Sequence, residues 1–290
     1  MKRSLALMLV LGPFVAALSL VVLAWGYIWF LMHPGCRDEN PARGAPTVEV
    51  WLPVEEKAKL KAWFTPPSNG VVVIALGGLE GALGDRLPPV QFLIAQGYGA
   101  LQIDSRACAR PALAVTLGAR EAEDVAAALE YLRQQGGVKQ VGIFGYSMGA
   151  AAAIRAAARY PGIAAVAAEG GYYNLGEDIV ESDGSDPFVR KIFLYTIAGA
   201  YRLQSGVNPW QISPISDLPK ISPRPVLLIY GEQEAGSGRA EDQFAAAGSL
   251  ARCGSWRARP MGRITACRPR STSRRFWNFS TRLCSSDYGS

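Results

Sequence analysis

Between the apolar residues 141–144 and an alanine-rich stretch that ends at Arg159, the chain reads Gly145-Tyr146-Ser147-Met148-Gly149. The run before it has the length and residue types of a strand buried on both faces, and residues 150–158 have those of a helix packed closely on its neighbours. The chain must then reverse from strand to helix within a few residues. A turn that tight leaves no room for side chains on either side of its apex, and both of those positions are glycine. The turn lifts the hydroxyl of Ser147 off the sheet. It also aims the backbone N–H of Met148, at the start of the helix, toward the space in front of that hydroxyl. The chemistry such a turn supports is a serine nucleophile with an oxyanion donor beside it.

The alternation of strand and helix continues on both sides. Residues 48–52 and 60–64 mix apolar and polar side chains at short spacing and read as paired strands. Asn69-Gly70 turns the chain into residues 71–76, an unbroken apolar run suited to a central strand. A helix over 90–96, a strand over 98–104 and a helix over 117–135 lead up to the Ser147 turn. Thr116 caps the last of these helices, which places Val125, Ala128, Leu129 and Leu132 on one face. Strands at 163–169 and 225–230 follow. The pattern predicts an α/β fold with a mostly parallel central sheet and helices on both faces. Residues 172–221 break into aromatic, glycine and proline punctuation around one apolar stretch, 189–201. They read as a lid inserted over a pocket, or as irregular connecting structure.

Ahead of this domain, Lys2 and Arg3 are followed by no charged side chain before Arg37. Residues 5–32 would form a helix about 42 Å long, against roughly 30 Å for a hydrocarbon core, which predicts a tilted single-pass transmembrane anchor. Trp25, Tyr27, Trp29 and Phe30 gather near its end, where aromatic rings favour the interface. The basic N-terminus favours a cytoplasmic start and so an extracytoplasmic domain. A cleaved signal peptide is the alternative, but the run is long for one and no A-x-A site follows it. Residues 33–47 read as a linker. His33, the one histidine in the chain, belongs to this membrane flank.

A formal charge of +6 raises nucleic acid as a partner, but the excess is confined to the tail. Residues 250–290 carry nine Arg and one acid, Asp287, whereas the first 249 residues carry 21 basic and 23 acidic side chains. No nucleic-acid partner is expected of such a body. Cys36, Cys108, Cys253, Cys267 and Cys284 are odd in number and lack metal-ligand spacing, so neither a zinc site nor a disulfide framework is expected.

Thr116-Leu117-Gly118 with Glu121 and Asp124, then Gly145-Tyr146-Ser147-Met148-Gly149, then Pro225-Val226-Leu227-Leu228-Ile229-Tyr230-Gly231 resemble the α/β-hydrolase superfamily. The resemblance covers about residues 48–248. Within the superfamily it is to small bacterial membrane-anchored serine hydrolases of the serine aminopeptidase and dienelactone hydrolase types. It implies an α/β-hydrolase domain over residues 48–249 that cleaves an ester, thioester or small amide through an acyl-enzyme on Ser147. The substrate would be a small molecule or short peptide, and no cofactor or metal is needed. The resemblance also implies an acid shortly after the glycine that ends the late strand. Glu234 stands at the matching position, with Glu232 and Asp178 as alternatives. A second oxyanion donor should come from the loop after residues 71–75, where the backbone of Gly78 or Leu79 can join Met148, although relatives carry a histidine in that loop. Residues 104–109 replace the family's glycine-rich turn, and Cys108 there reads as a small packed residue.

The superfamily's triad runs serine, acid, histidine, and no histidine follows Glu234. The tail offers a reason. After about Gly248, helical periodicity and acids disappear while Arg, Ser and Cys accumulate, as in a coding sequence read in a shifted frame. Regrouping the codons turns the Pro260-Met261 junction into a histidine codon when the proline codon ends in C, and Gly262 can supply a following glycine. Residues 275–281 then regroup into a string that allows Val-Leu-Glu-Phe-Phe-Asp, similar to the family's last helix. Residues 250–290 are therefore expected to be frameshifted and disordered. The competing reading is an inactive pseudo-hydrolase that uses the same pocket to bind a ligand or partner.

Overall fold

The structure is a computed structural model that describes residues 2–37, 46–55, 57–79, 88–181, 187–231, 238–248, 251–256 and 264–266. Side-chain alternation shows how its central strands lie. In β3 (Val71–Leu76), Val72, Ile74 and Leu76 face one hydrophobic cluster, while Val73 and Ala75 face another on the opposite side. A strand buried on both faces must be covered by helices on both faces.

The strands are β1 (Val48–Pro53), β2 (Lys59–Thr65), β3, β4 (Gly99–Ile103), β5 (Gln140–Tyr146), β6 (Ile163–Glu169), β7 (Val226–Gly231), β8 (Ala251–Trp256) and β9 (Ile264–Ala266). Among the described residues they form one nine-stranded sheet in the order β1-β2-β4-β3-β5-β6-β7-β8-β9. β2 runs antiparallel to both of its neighbours. From β4 through β8 every pairing is parallel, and β9 closes the far edge antiparallel.

Helix α1 (Lys2–Met32) precedes the sheet, and α2 (Pro88–Ala95) covers the face of Val73, Ala75 and Phe144. The other face carries α3 (Arg120–Arg133), α4 (Met148–Arg159) and α8 (Gly238–Ala246). The alanines of α4 serve the close approach expected of them, with Ala150–Ala153 fully buried. Between β6 and β7 the punctuated segment is largely helical. It contains α5 (Leu175–Ile179), α6 (Phe188–Ser205) and α7 (Pro214–Asp217), with Asn174 and Asn208 capping short turns.

Two expectations are corrected. The helix expected from Leu117 begins at Arg120, because Leu117 and Gly118 both take positive φ, 50° and 91°. Thr116 still serves the helix start from further out, its hydroxyl accepting from Arg120 N–H at 2.8 Å. Second, Cys108 is packed as expected, but it also forms a disulfide with Cys36, 72 residues away, where no disulfide was expected. Neither cysteine has a neighbouring partner in sequence, so local spacing gave no sign of the pair. β8 and β9 lie within residues 250–290, the rest of which fall outside the described residues. The parallel edge of β7 offers backbone groups that any chain can pair with, whatever its side chains.

One helix among the described residues is long and apolar enough to cross a membrane, over Leu11–Met32. Its final turns dock on the domain. Ala24, Ile28 and Met32 are buried among Ala119, Leu175, Ile197, Ala200, Tyr201 and Ile212. Val115 N–H donates to the Met32 carbonyl at 2.8 Å, and the Gln204 amide donates to the Trp25 carbonyl at 2.9 Å.

Candidate active site

Ser147 stands between β5 and α4 with φ 53° and ψ −121°, a left-handed conformation that costs a non-glycine residue on the order of 1–3 kcal/mol. Its surroundings hold it there. The Ser147 N–H donates to the Glu169 carbonyl at 2.7 Å, and the Ser147 carbonyl accepts from Ala150 N–H at 2.9 Å. Both flanking glycines are forced by space. A Cβ on Gly145 would lie 2.6 Å from the Ala150 nitrogen and closer still to the Gly149 carbonyl. A Cβ on Gly149 would lie 2.5 Å from the Gly77 oxygen. The glycines allow the elbow and the loop after β3 to touch.

That contact brings Gly78 beside the serine, where a Cβ on Gly78 would lie 3.4 Å from the Ser147 Cβ. Met148 is the first residue of α4, so its N–H has no acceptor within the helix. The structure thus gathers Ser147, Met148 and Gly78 in one place. Glu234 and Glu232 lie outside the described residues. Asp178, the third acid considered, stands on the wall of the same cleft, paired with Arg239. One of its oxygens also accepts from the N–H groups of Tyr173 and Asn174, at 2.9 and 3.2 Å. Burial raises the Asp178 carboxyl above its ordinary value, with Arg239 and these N–H groups pulling the other way.

The cleft has a volume of about 410 Å³ and is lined by Ser147, residues 170–173, Asp178, Glu181, Tyr230, Arg239, Ala240 and Gln243. Tyr172 donates its hydroxyl to the Leu117 carbonyl, and burial holds that phenol well above its usual pKa, so it stays protonated. Arg239 lies over the Tyr173 ring, 5.4 Å from its centroid, and pairs with Glu181 at 3.1 Å. The Tyr230 hydroxyl donates to Gln243 at 2.8 Å. None of these lining residues except Ser147 and Asp178 was marked by sequence. The lining comes from four separate segments, the Ser147 turn, residues 170–181, the end of β7 and α8, and no local motif records their convergence. Glu169, whose carbonyl holds the elbow, has its own carboxyl raised by burial.

Behind the loop of Gly77 and Gly78 lies a buried ionic cluster. Arg106, 2% exposed, places Nη1 2.6 Å from Asp124 and pairs through Nη2 with Glu55. Its Nε donates to the Ala114 carbonyl at 3.1 Å. Glu121 accepts from Thr116 N–H, Thr116 Oγ1 and Gly118 N–H, at 2.7, 2.8 and 2.9 Å. The motif residues Glu121 and Asp124 thus shape and brace the turn before α3, and Arg106 is the cation that makes the arrangement tolerable. His33 is far from this chemistry in role. It stacks on Trp29 at the end of α1, with Nδ1 2.8 Å from the Trp29 carbonyl.

A mixed sheet in this strand order, with a serine in a left-handed turn between the fifth strand and the helix that follows it, defines the α/β-hydrolase fold. Comparison with known proteins agrees with this fold. A dienelactone hydrolase family profile matches residues 93–186. Among solved structures, the Pyrococcus furiosus esterase Pf2001 superposes with a TM-score of 0.57 at 22% identity, covering 77% of this chain and 89% of the esterase. The Pyrococcus horikoshii acylaminoacyl peptidase gives 0.55 at 16% identity, covering 74% of this chain and 37% of the peptidase. A hypothetical protein of Pseudomonas aeruginosa, PA2218, gives 0.56 at 16%, covering 76% and 88%. Comparison with curated proteins finds no match. The fold is therefore one shared with esterases and peptidases, and at these identities the likeness speaks for the fold alone.

Proposed function

We propose that this chain carries a serine hydrolase scaffold that cleaves an ester, thioester or small amide through an acyl-enzyme on Ser147. The observation that carries the reading is the elbow, where a serine sits at φ 53° between two glycines that no other residue can replace without collision. Such strain persists where the surroundings over-determine it, and it serves to present the hydroxyl. The N–H groups of Met148 and Gly78 are the oxyanion donors in this reading. Glu234 is the acid, and Asp178 is the weaker candidate because Arg239 and two backbone N–H groups already engage it. The substrate is a small molecule or short peptide small enough for the cleft.

The base is the missing part. The one histidine, His33, stands at the end of α1. The tail from residue 250 is the product of a shifted reading frame in this proposal, and the restored frame supplies the histidine. The absence of a second histidine equally motivates the pseudo-hydrolase reading for the chain as written.

Assay of p-nitrophenyl esters separates the two. The frame-restored chain should turn over, and Ser147→Ala should abolish it. The chain as written should be slower by several orders of magnitude, because triad members act as a unit. Equal hydrolysis by both chains would show that another base serves, and no hydrolysis by the restored chain would favour the pseudo-hydrolase.

The anchor is retained and the domain faces away from the cytoplasm in this proposal. Ala24, Ile28 and Met32 are core residues of the docked helix, and cleavage of a signal peptide would strip them from the domain. The Cys36–Cys108 disulfide supports an oxidising compartment. Protease added to spheroplasts should digest the domain. Full protection would reverse the orientation, and release by high salt would end the anchor reading.

A further inference from the structure

The anchor does not hang from the domain on a free linker. Three ties fix it: the buried face of Ala24, Ile28 and Met32, the backbone bond from Val115 to Met32, and the disulfide of Cys36 with Cys108. The direction in which α1 leaves the domain therefore sets how the domain meets the bilayer.

That direction is readable from its partners. Val115 and Ala119 follow β4, Leu175 follows β6, and α6 and Ile212 lie between β6 and β7. All of these segments leave the carboxyl ends of parallel strands, which is the edge where Ser147 ends β5. The anchor thus docks on the active-site edge of the sheet. Residues 5–24 suffice to cross a core of about 30 Å. The aromatic group Trp25, Tyr27, Trp29 and Phe30 then falls at the membrane surface. From Trp25 to Met32, which touches the loop of Val115, is a rise of only about 10 Å. The layer between that loop and the bilayer has room for one helix.

That helix is α6. Its Gln204 reaches the Trp25 carbonyl at the level of the aromatic group, and Leu203 beside it is 75% exposed. Its outer face shows Phe188, Val189, Ile192 and Tyr195 to solvent. Its sequence contains Arg190, Lys191 and Arg202 and no acid. Apolar side chains with basic ones and no acids are the composition of a helix that lies in the head-group layer of an anionic membrane. The exposed face is continuous with the anchor that crosses the same membrane.

We propose that α6 rests in the head-group layer of the leaflet from which α1 emerges, so that the Ser147 cleft opens toward that leaflet and its substrate is the acyl ester of a membrane amphiphile. The placement of α6 rests on the anchor reading above together with its packing on α1, while the substrate class rests on the hydrolase reading.

Depth-dependent quenching tests the placement without any activity. In nanodiscs of phosphatidylcholine and phosphatidylglycerol carrying doxyl-labelled lipid, with Cys253, Cys267 and Cys284 changed to Ser, a bimane probe is attached in turn at Leu18→Cys, Tyr195→Cys, Leu203→Cys and Lys139→Cys. Lys139 lies just before β5, at the opposite edge of the sheet. The expected result is deep quenching at position 18 and shallow-lipid quenching at 195 and 203 several-fold above the background level at 139. Quenching at 18 with 195 and 203 as dark to lipid as 139 would overturn the placement. For the substrate, the frame-restored chain should release fatty acid from diacylglycerol in the same nanodiscs. Hydrolysis of p-nitrophenyl butyrate without such release overturns the substrate class. Failure on both substrates, with the quenching pattern intact, removes the hydrolase reading and the substrate claim while the placement stands.

Discussion

Replacing Gly149 by alanine tests the steric account of the elbow. The new Cβ would lie 2.5 Å from the Gly77 oxygen, 2.7 Å from the Leu76 carbonyl carbon and closer still to its oxygen. Relief to ordinary contact needs a movement of about 1 Å. Neither side can give cheaply. Leu76 is paired with Ile103 on one side and Gly145 on the other, and α4 is packed through alanines with no slack. Overpacking against backbone on both sides belongs at the upper end of the usual range, about 3 kcal/mol. Alanine in a helix returns roughly 0.5–1 kcal/mol of that. The net loss is then about 2 kcal/mol, or a fall of about 1 M in the urea midpoint for a slope near 2 kcal/mol/M. Gly199→Ala is the internal control, since its Cβ would meet nothing within 4 Å on the exposed side of α6. It should gain roughly 0.5–1 kcal/mol. Both midpoints are read from tryptophan fluorescence of the detergent-solubilised chain. If Gly149→Ala is neutral, or moves in the same direction as Gly199→Ala, the elbow is not sterically enforced as described.

Removing the disulfide by Cys36→Ser with Cys108→Ser should cost about 4 kcal/mol on the chain-entropy account of a 72-residue loop. Urea melts with and without reductant should give the same loss for the intact chain, and a cost under about 1 kcal/mol would refute the tie. Asp124→Ala should lose about 3–5 kcal/mol by stranding the buried Arg106, whereas Arg106→Met with Asp124→Leu should lose far less. Equal losses in the two variants would show that the pair is not the reason. Burial raises the Glu169 carboxyl, so the folded chain holds this proton more tightly than the unfolded chain does. Its contribution is therefore a stability that falls as pH rises above about 4, the unfolded value, through the folded one. Glu169→Gln should flatten the urea midpoint against pH in that window, and an unchanged slope would exclude the group.

The central strands and the elbow were legible because contiguous residues encode them. The apolar alternation of residues 71–76 and the glycines around Ser147 act through neighbouring backbone, within a turn or a strand. The start of α3 was misread by a few residues for a reason that lies outside propensity. Glu121 reaches back to three donors and holds Leu117 and Gly118 in left-handed geometry, which a sequence reading of a capped helix does not foresee. The aromatic and proline punctuation of residues 172–221 was correctly seen as a break in the strand pattern. Two of its short helices, Leu175–Ile179 and Pro209–Gln211, start where Asn174 and Asn208 found N–H groups to cap.

By itself, then, the sequence determined the strand order's raw material, the place of Ser147 and the long apolar N-terminal helix, all of which follow from local sterics and periodicity. Tertiary structure alone decided that Cys36 meets Cys108, that Arg106 sits between Glu55 and Asp124, and that the last turns of α1 dock on α6. These pairings join residues from 18 to more than 170 positions apart, as the bonds of Arg106 with Asp124 and Gln204 with Trp25 show. No local pattern carries them, because each partner is only brought within reach once the sheet has ordered the segments between them and buried the apolar faces that hold those segments in place.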